Sequence, residues 1–235
     1  MKKSILAAVM AMCSIAAYAQ VSFGGQVGVN LGLGNAKDGY FAGSIYAGPE
    51  LANEPKIGLL AGVVAEVDFG KLSFRPELNF IQKGSKSGIS GYDENKFSLS
   101  YLELPLNVVY KLELGSKGNK VFFGLGPAIA FGLGGKIKNT DGSTGAVYSR
   151  KVKFDGKKNG TDDKAHFKAL DLGANILGGF QMKSGLFARV AFTYGFSNLY
   201  PEKTYNVSGT TYDQSYKNRG VNLSVGYMLG GTKKK

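Results

Sequence analysis

Past Gln20, apolar residues recur at every second position, and no segment shows the spacing of an amphipathic helix, so the chain reads as β-strand throughout. The first strand, over 21–33, puts Phe23, Val27, Val29, Leu31 and Leu33 on one face and Ser22, Gly24, Gln26, Gly28, Asn30 and Gly32 on the other. The same alternation predicts further strands over 57–69, 72–82, 97–111, 120–135, 167–182, 185–197 and 218–230. Pro76, Pro105 and Pro127 fall inside three of them and each removes a ladder donor, so bulges or kinks are expected there.

The intervening segments alternate in length. Long connections over 34–56, 83–96, 137–166 and 198–217 alternate with short ones, tight turns at Gly70-Lys71 and Lys183-Ser184-Gly185 and the connection over 112–119. Eight antiparallel strands arranged this way leave both ends on the short-turn side, which is the asymmetry of an outer-membrane barrel. An even count also closes without an edge exposed to lipid. Side-chain size decides which face is which. The apolar face carries Leu, Val and Phe, too bulky for the narrow interior of eight strands, while the other face is Gly, Asn, Ser and Ala. The fold class expected is therefore all-β, an eight-stranded antiparallel up-and-down transmembrane β-barrel, with lysine nearly confined to loops, turns and the Lys233–Lys235 tail. A secreted β-sandwich or lipocalin-like barrel is the alternative, with the faces reversed. Aromatics near strand ends suit interfacial girdles: Phe80, Phe131, Tyr194 and Phe196 toward the long loops, and Phe69, Phe74, Tyr110, Phe180 and Tyr227 toward the turns.

The N-terminus adds a destination. Lys2 and Lys3, an apolar stretch from Ile5 and Ala17-Tyr18-Ala19 read as a secretory signal peptide over 1–19, leaving a single barrel domain over 20–235. Cys13 sits inside the apolar stretch behind Met12, where a lipidation signal wants a small residue. It is the one Cys in the chain, which excludes an intramolecular disulfide, and with one His it excludes the usual zinc clusters. The charge of +12 falls to +10 when Lys2 and Lys3 leave. Nucleic acid is not an expected partner of an exported chain, whatever its charge.

Seven segments in order resemble those of the PorT-like outer-membrane β-barrel family of Gram-negative bacteria, whose members are often labelled porin-family proteins. They are Arg75-Pro76-Glu77-Leu78, Gln82-Lys83-Gly84, Tyr101-Leu102-Glu103-Leu104-Pro105-Leu106, Gly124-Leu125-Gly126-Pro127, Asp171-Leu172-Gly173, Tyr194-Gly195-Phe196-Ser197-Asn198-Leu199 and Lys217-Asn218-Arg219. The resemblance spans nearly the whole chain past the leader. It implies an eight-stranded membrane barrel but no settled activity, since some relatives are linked to secretion machinery. The chain departs from such barrels in ending on lysines rather than an aromatic.

Candidate chemistry is sparse. The non-apolar face collects Glu66, Glu77, Glu103 and Asp171 with Arg75 and Arg189, which reads either as a plug of mutually paired charges or as a charged conduit. An eight-stranded interior is filled by its own side chains, which favours the plug. The longest loop carries Lys136, Lys138, Arg150, Lys151, Lys153, Lys157 and Lys158, a basic external surface for lipid phosphate, surface polysaccharide or an acidic protein patch, or else a solvated loop. His166 beside Asp162 and Asp163 is the weak case for a hydrolase, and a solvated loop histidine is the plainer reading. No phosphate loop, nucleophile elbow or metal-ligand spacing is present in the sequence, so no catalytic, metal or cofactor site is assigned. The expectation is a monomeric, plugged barrel in outer-membrane lipid that meets an envelope protein or polysaccharide through its loops. A narrow solute channel and a subunit of a secretion assembly are the alternatives.

Overall fold

The computed structural model describes residues 20–37, 39–41, 44–46, 53–88, 94–115, 118–157, 163–202, 204–207 and 210–229. The leader expected over 1–19, Lys158, Asp162 and the lysine tail lie outside them. Eight long strands dominate: β1 (Gln20–Gly32), β2 (Asn53–Phe69), β3 (Leu72–Lys83), β4 (Glu94–Leu114), β5 (Asn119–Thr140), β6 (Leu170–Gln181), β7 (Leu186–Gly195) and β8 (Arg219–Leu229). Each pairs antiparallel with the next. β8 pairs back onto β1 from Phe23↔Leu229 to Gly32↔Gly220 and closes the ring.

The short connections are as tight as expected. Phe69 faces Leu72 across Gly70-Lys71, and Gly70 adopts φ +89°, a left-handed conformation that costs glycine nothing. Gly185, at φ +99°, closes the β6–β7 turn.

The outward face is the apolar one. Ile57, Leu125 and Phe23 are 71%, 67% and 62% exposed, and Val63, Val108, Phe131, Leu223 and Val225 stand out beside them. On β5 this band runs from Val121 to Leu133. Twelve residue steps of about 3.4 Å, tilted by about 40°, give about 30 Å of height, which matches a hydrocarbon core. Phe80, Leu102 and Phe131 form one row at its upper margin, and Phe69, Leu72, Tyr110 and Phe123 form one at its lower margin.

The register breaks elsewhere than at the prolines. Pro76 faces Leu106 and Pro105 faces Ala128, and beyond each the pairing resumes unshifted, at Asn79↔Glu103 and Val108↔Leu125. A proline withholds one N–H, whereas a slip would turn every apolar side chain of the strand inward. The bulge lies between Ser100 and Tyr101, which face Gly134 and Gly132, so Leu133 is the extra residue of β5. Below it β5 sends Phe123, Leu125, Phe131 and Leu133 outward. Above it the parity is reversed: Ile137 is buried while Lys136 and Lys138 are exposed.

The bulge also separates a membrane part from an external one. β4 and β5 continue past it to Glu94 and Thr140, and two shorter strands extend this wall: Ser85–Gly88 against β4, and Val147–Lys153 against the upper half of β5. The connections expected over 83–96 and 137–166 are therefore partly sheet, because cross-strand pairing continues wherever two chains leave a barrel side by side.

Placing a charge on the lipid face tests this orientation. Leu125→Arg is expected to destabilise the folded barrel by about 2–4 kcal/mol in urea titrations from lipid vesicles. The unaltered protein should migrate differently on gels before and after boiling.

Candidate functional site in the lumen

The inward positions of the eight strands form a side-chain column that builds up in layers from the turn end. At the lowest layer Glu66 of β2 meets Arg75 of β3 through both Nε, at 2.9 Å, and Nη2, while Lys111 of β4 donates to Glu66 Oε1 at 2.8 Å and to Asp68 at 2.6 Å. Two carboxylates are thus matched by two cations. Above them lies an apolar layer of Val64, Val109, Phe122, Leu177, Phe187, Ala191 and Met228. The Arg75 guanidinium packs against its underside, 4.5 Å from the Phe122 ring centre and 5.7 Å from that of Phe187. Glycine makes the room: a Cβ on Gly179 would meet Phe122 Cζ at 2.4 Å, and one on Gly226 would meet Phe187 Cζ at 2.3 Å.

The middle layer centres on Glu77 of β3. Both guanidinium arms of Arg189 on β7 grip it, Nη2 at 2.7 Å, and Gln26, Asn79 and Asn107 donate to it as well. Asn175 continues the chain by donating to Asn107 at 2.9 Å and accepting from Thr193. A buried carboxylate with this many donors recovers by hydrogen bonding what it loses in hydration.

In the upper layer Lys83 of β3 lies 2.5 Å from Glu103 of β4 and 3.5 Å from Asp171 of β6, to which Asn218 also donates. Asp171 Oδ1, Asn218 Oδ1 and Asn222 Oδ1 have no hydrogen-bond partner among the described residues, and a small cavity beside Asn30, Lys83, Thr193 and Asn218 has room for about one water. An aromatic cap covers this layer. Phe97 stacks on Tyr216, Phe167 stacks on Tyr216 and meets Tyr200 edge-on, and Phe154 leans on Tyr101. All the rings except the half-buried Phe154 are fully buried, with Leu99, Ile137, Val152, Ala165 and Leu199 packed among them.

An outer membrane protein beta-barrel domain model matches residues 16–200, which is 200 − 15 = 185 of 235 residues. The chain belongs to that family. It is an outer-membrane β-barrel protein. Among solved structures, OprG from Pseudomonas aeruginosa is similar at 12% identity and a TM-score of 0.50, over 91% of this chain and 98% of that one. Neisserial surface protein A aligns at 11% identity and a TM-score of 0.39, over 89% and 97%, and Ail of Yersinia pestis at 12% and 0.37, over 90% and 99%. At such identities the likeness concerns the fold alone. No curated protein matches the chain in sequence.

Within this family barrel, the residues singled out from sequence divide as follows. Glu66, Arg75, Glu77, Glu103, Asp171 and Arg189 all face the lumen, but in three separate clusters rather than one network. Lys83 and Lys111 join them, two exceptions to the near-confinement of lysine to loops and turns. Both lie near strand ends on inward parity, and that parity was the available signal. The lumen is also less uniformly polar than expected: Phe122 and Phe187 occupy positions where flanking glycines leave space. Lys136 and Lys138 belong to β5, and Arg150, Lys151 and Lys153 to the strand paired with it. Lys157 is exposed in the loop beyond. His166 is buried rather than solvated, because Phe167 carries it under the cap. A carboxylate oxygen only accepts, so His166 Nδ1 donates to Asp155 at 2.6 Å.

Two outcomes follow from these contacts. Arg189→Met alone leaves Glu77 buried and unpaired and should cost about 3–5 kcal/mol in urea unfolding from vesicles, and the Glu77→Gln/Arg189→Met double variant should recover part of it. The His166 hydrogen bond holds the Asp155 carboxyl below its usual range. Its stabilising contribution is therefore complete above the unfolded value of about 4 and disappears as pH falls through the lowered one. Protection factors of the Gly156 and Phe167 amides, which bond to Phe167 and Lys153 carbonyls at 3.0 and 2.8 Å, should fall over that acid range, and Asp155→Asn should abolish the dependence.

Proposed function

We propose that the protein is a non-conducting, monomeric outer-membrane barrel whose external surface, not its lumen, makes its specific contacts. One observation carries this reading. Arg75 is held between Glu66 below and the Phe122 and Phe187 rings above, so a charge layer and an apolar layer seal the same cross-section. A solute would have to break a desolvated ion pair and displace two aromatic rings, and the cap would stop it again at the external mouth. The finer placement, among PorT-like barrels, is supported by where the ordered segments fall. Arg75, Glu77, Lys83, Glu103, Asp171 and Asn218 all come from them and all face the lumen, so the shared pattern reads as a plug pattern. An envelope protein or polysaccharide partner would meet the same external surface.

A narrow channel is the second reading, favoured by the unpaired oxygens and the small cavity around Lys83 and Asp171. Planar-bilayer recording separates the two. The unaltered protein is expected to give no discrete conductance steps. Steps that grow in Arg75→Ala or Glu103→Ala would establish conduction through the lumen and overturn the plug.

A further inference from the structure

The bulge that reverses the parity of β5 creates a feature with no role in the lumen. Above it, register places Lys86 opposite Lys96, Lys96 opposite Lys138, and Lys136 opposite Lys151. These side chains share the outer wall, because the alternate residues on the same strands point the other way: Asn139 donates to Asn95 at 3.0 Å, and Phe97 and Ile137 are buried in the cap. Lys153, also exposed, is the next outward residue below Lys151.

Like charges directly opposite one another on a sheet are destabilising. In the lower row Lys136 lies between Ser98 and Lys151; in the upper row Glu54 stands directly opposite Lys86 at one end, and Glu94 lies two residues above Lys96. Among the described residues none of the six lysines has an ion pair or a side-chain hydrogen bond. Among the described residues the fold thus gathers six cations with one carboxylate, Glu54, in their rows and no ion pair to any of them.

Their height identifies what neutralises them. Leu133 marks the top of the apolar band on β5. Lys136 is three residues above it and Lys138 five, which is about 8 and 13 Å at 3.4 Å per residue and a tilt of about 40°. The polar zone of a leaflet extends about 6–7 Å beyond the hydrocarbon. The lower row therefore lies at the outer edge of the lipid headgroups and the upper row about 6 Å beyond that edge. The wall faces sideways along the membrane rather than out into the medium. Cross-strand lysines about 5 Å apart can share one phosphate.

We propose that this lysine ladder is a lateral binding site for phosphate-bearing headgroups of the outer-leaflet lipid. The proposal builds on the external surface being the working face, and it is independent of whether the lumen conducts. The site anchors one flank of the barrel, the flank on which the sheet extends beyond the membrane, to anionic lipid. The opposite flank ends near Gly32, Gly195 and Arg219, and among the described residues it has no comparable rows.

The test uses the full folded protein in phosphatidylcholine nanodiscs doped with lipid A, either bisphosphorylated or with both phosphates removed, and measures lipid retained on the protein. The unaltered barrel is expected to enrich the phosphorylated form at least about tenfold over the dephosphorylated form, less so at high salt. Lys96→Gln/Lys136→Gln/Lys138→Gln should lose most of this enrichment, the corresponding arginine variant should keep it, and heat-modifiability should show all three folded. Equal retention of the two lipids, or undiminished enrichment in the glutamine variant, overturns the proposal. So does a lysine-dependent affinity for soluble acidic polysaccharide in the absence of lipid A enrichment, which would assign the ladder to a partner in the medium. Conductance is a separate readout, so failure here leaves the plug reading intact and failure there leaves the ladder intact.

Discussion

Hydrocarbon offers no partner for a backbone N–H or C=O, and each one left unpaired costs several kcal/mol. The pairing of β8 with β1 is the contact that meets this requirement, since without it both strands would present an open edge to lipid. Closure at eight strands then sets a bore that backbone and small side chains nearly fill. The remaining features follow from that bore: bulky apolar groups face out, glycine appears wherever a large side chain must lie inside, and any charge in the lumen is within reach of another.

The lumen shows how a confined interior accommodates charge. Burying a carboxylate is costly unless cations and hydrogen-bond donors surround it, and Glu66 and Glu77 are each surrounded. Apolar layers between the charged ones lower the local dielectric, which strengthens each pair and makes the loss of one partner more damaging than the pair is worth. Stacked salt bridges and aromatic rings of this kind make a stopper rather than a path. The upper layer is the looser one, with its small cavity and unpaired oxygens beneath the cap.

The external part is asymmetric for a simple reason. Strands that leave the membrane next to each other continue to pair, so β4, β5 and the strand Val147–Lys153 rise as a wall on one flank. The rest of that β5–β6 connection and the β7–β8 connection fold across the mouth instead, bringing Phe154, Phe167, Tyr200 and Tyr216 together over Tyr101. A single extra residue in β5 serves both ends. It turns Ile137 into the cap and Lys136 and Lys138 out onto the wall.

Alternation, loop lengths and side-chain volume determine the strand count, the antiparallel order and the choice of lipid-facing side, because each reflects local chemistry repeated along the chain. The inward parity of Glu66, Arg75, Glu77, Glu103, Asp171 and Arg189 is legible for the same reason. Which of them pair is not, since Arg189 meets Glu77 across the bore and register around the closed ring decides that distance. Lys83 looks like a loop residue, and Lys111 like the last residue of its strand, until the strands on either side extend past them. His166 looks solvated until Phe167, one residue on, is found inside the cap. The bulge at Leu133 has no local signature stronger than its flanking glycines, so the burial of Ile137 and the lysine wall are decisions of the tertiary structure, made by pairing with β4.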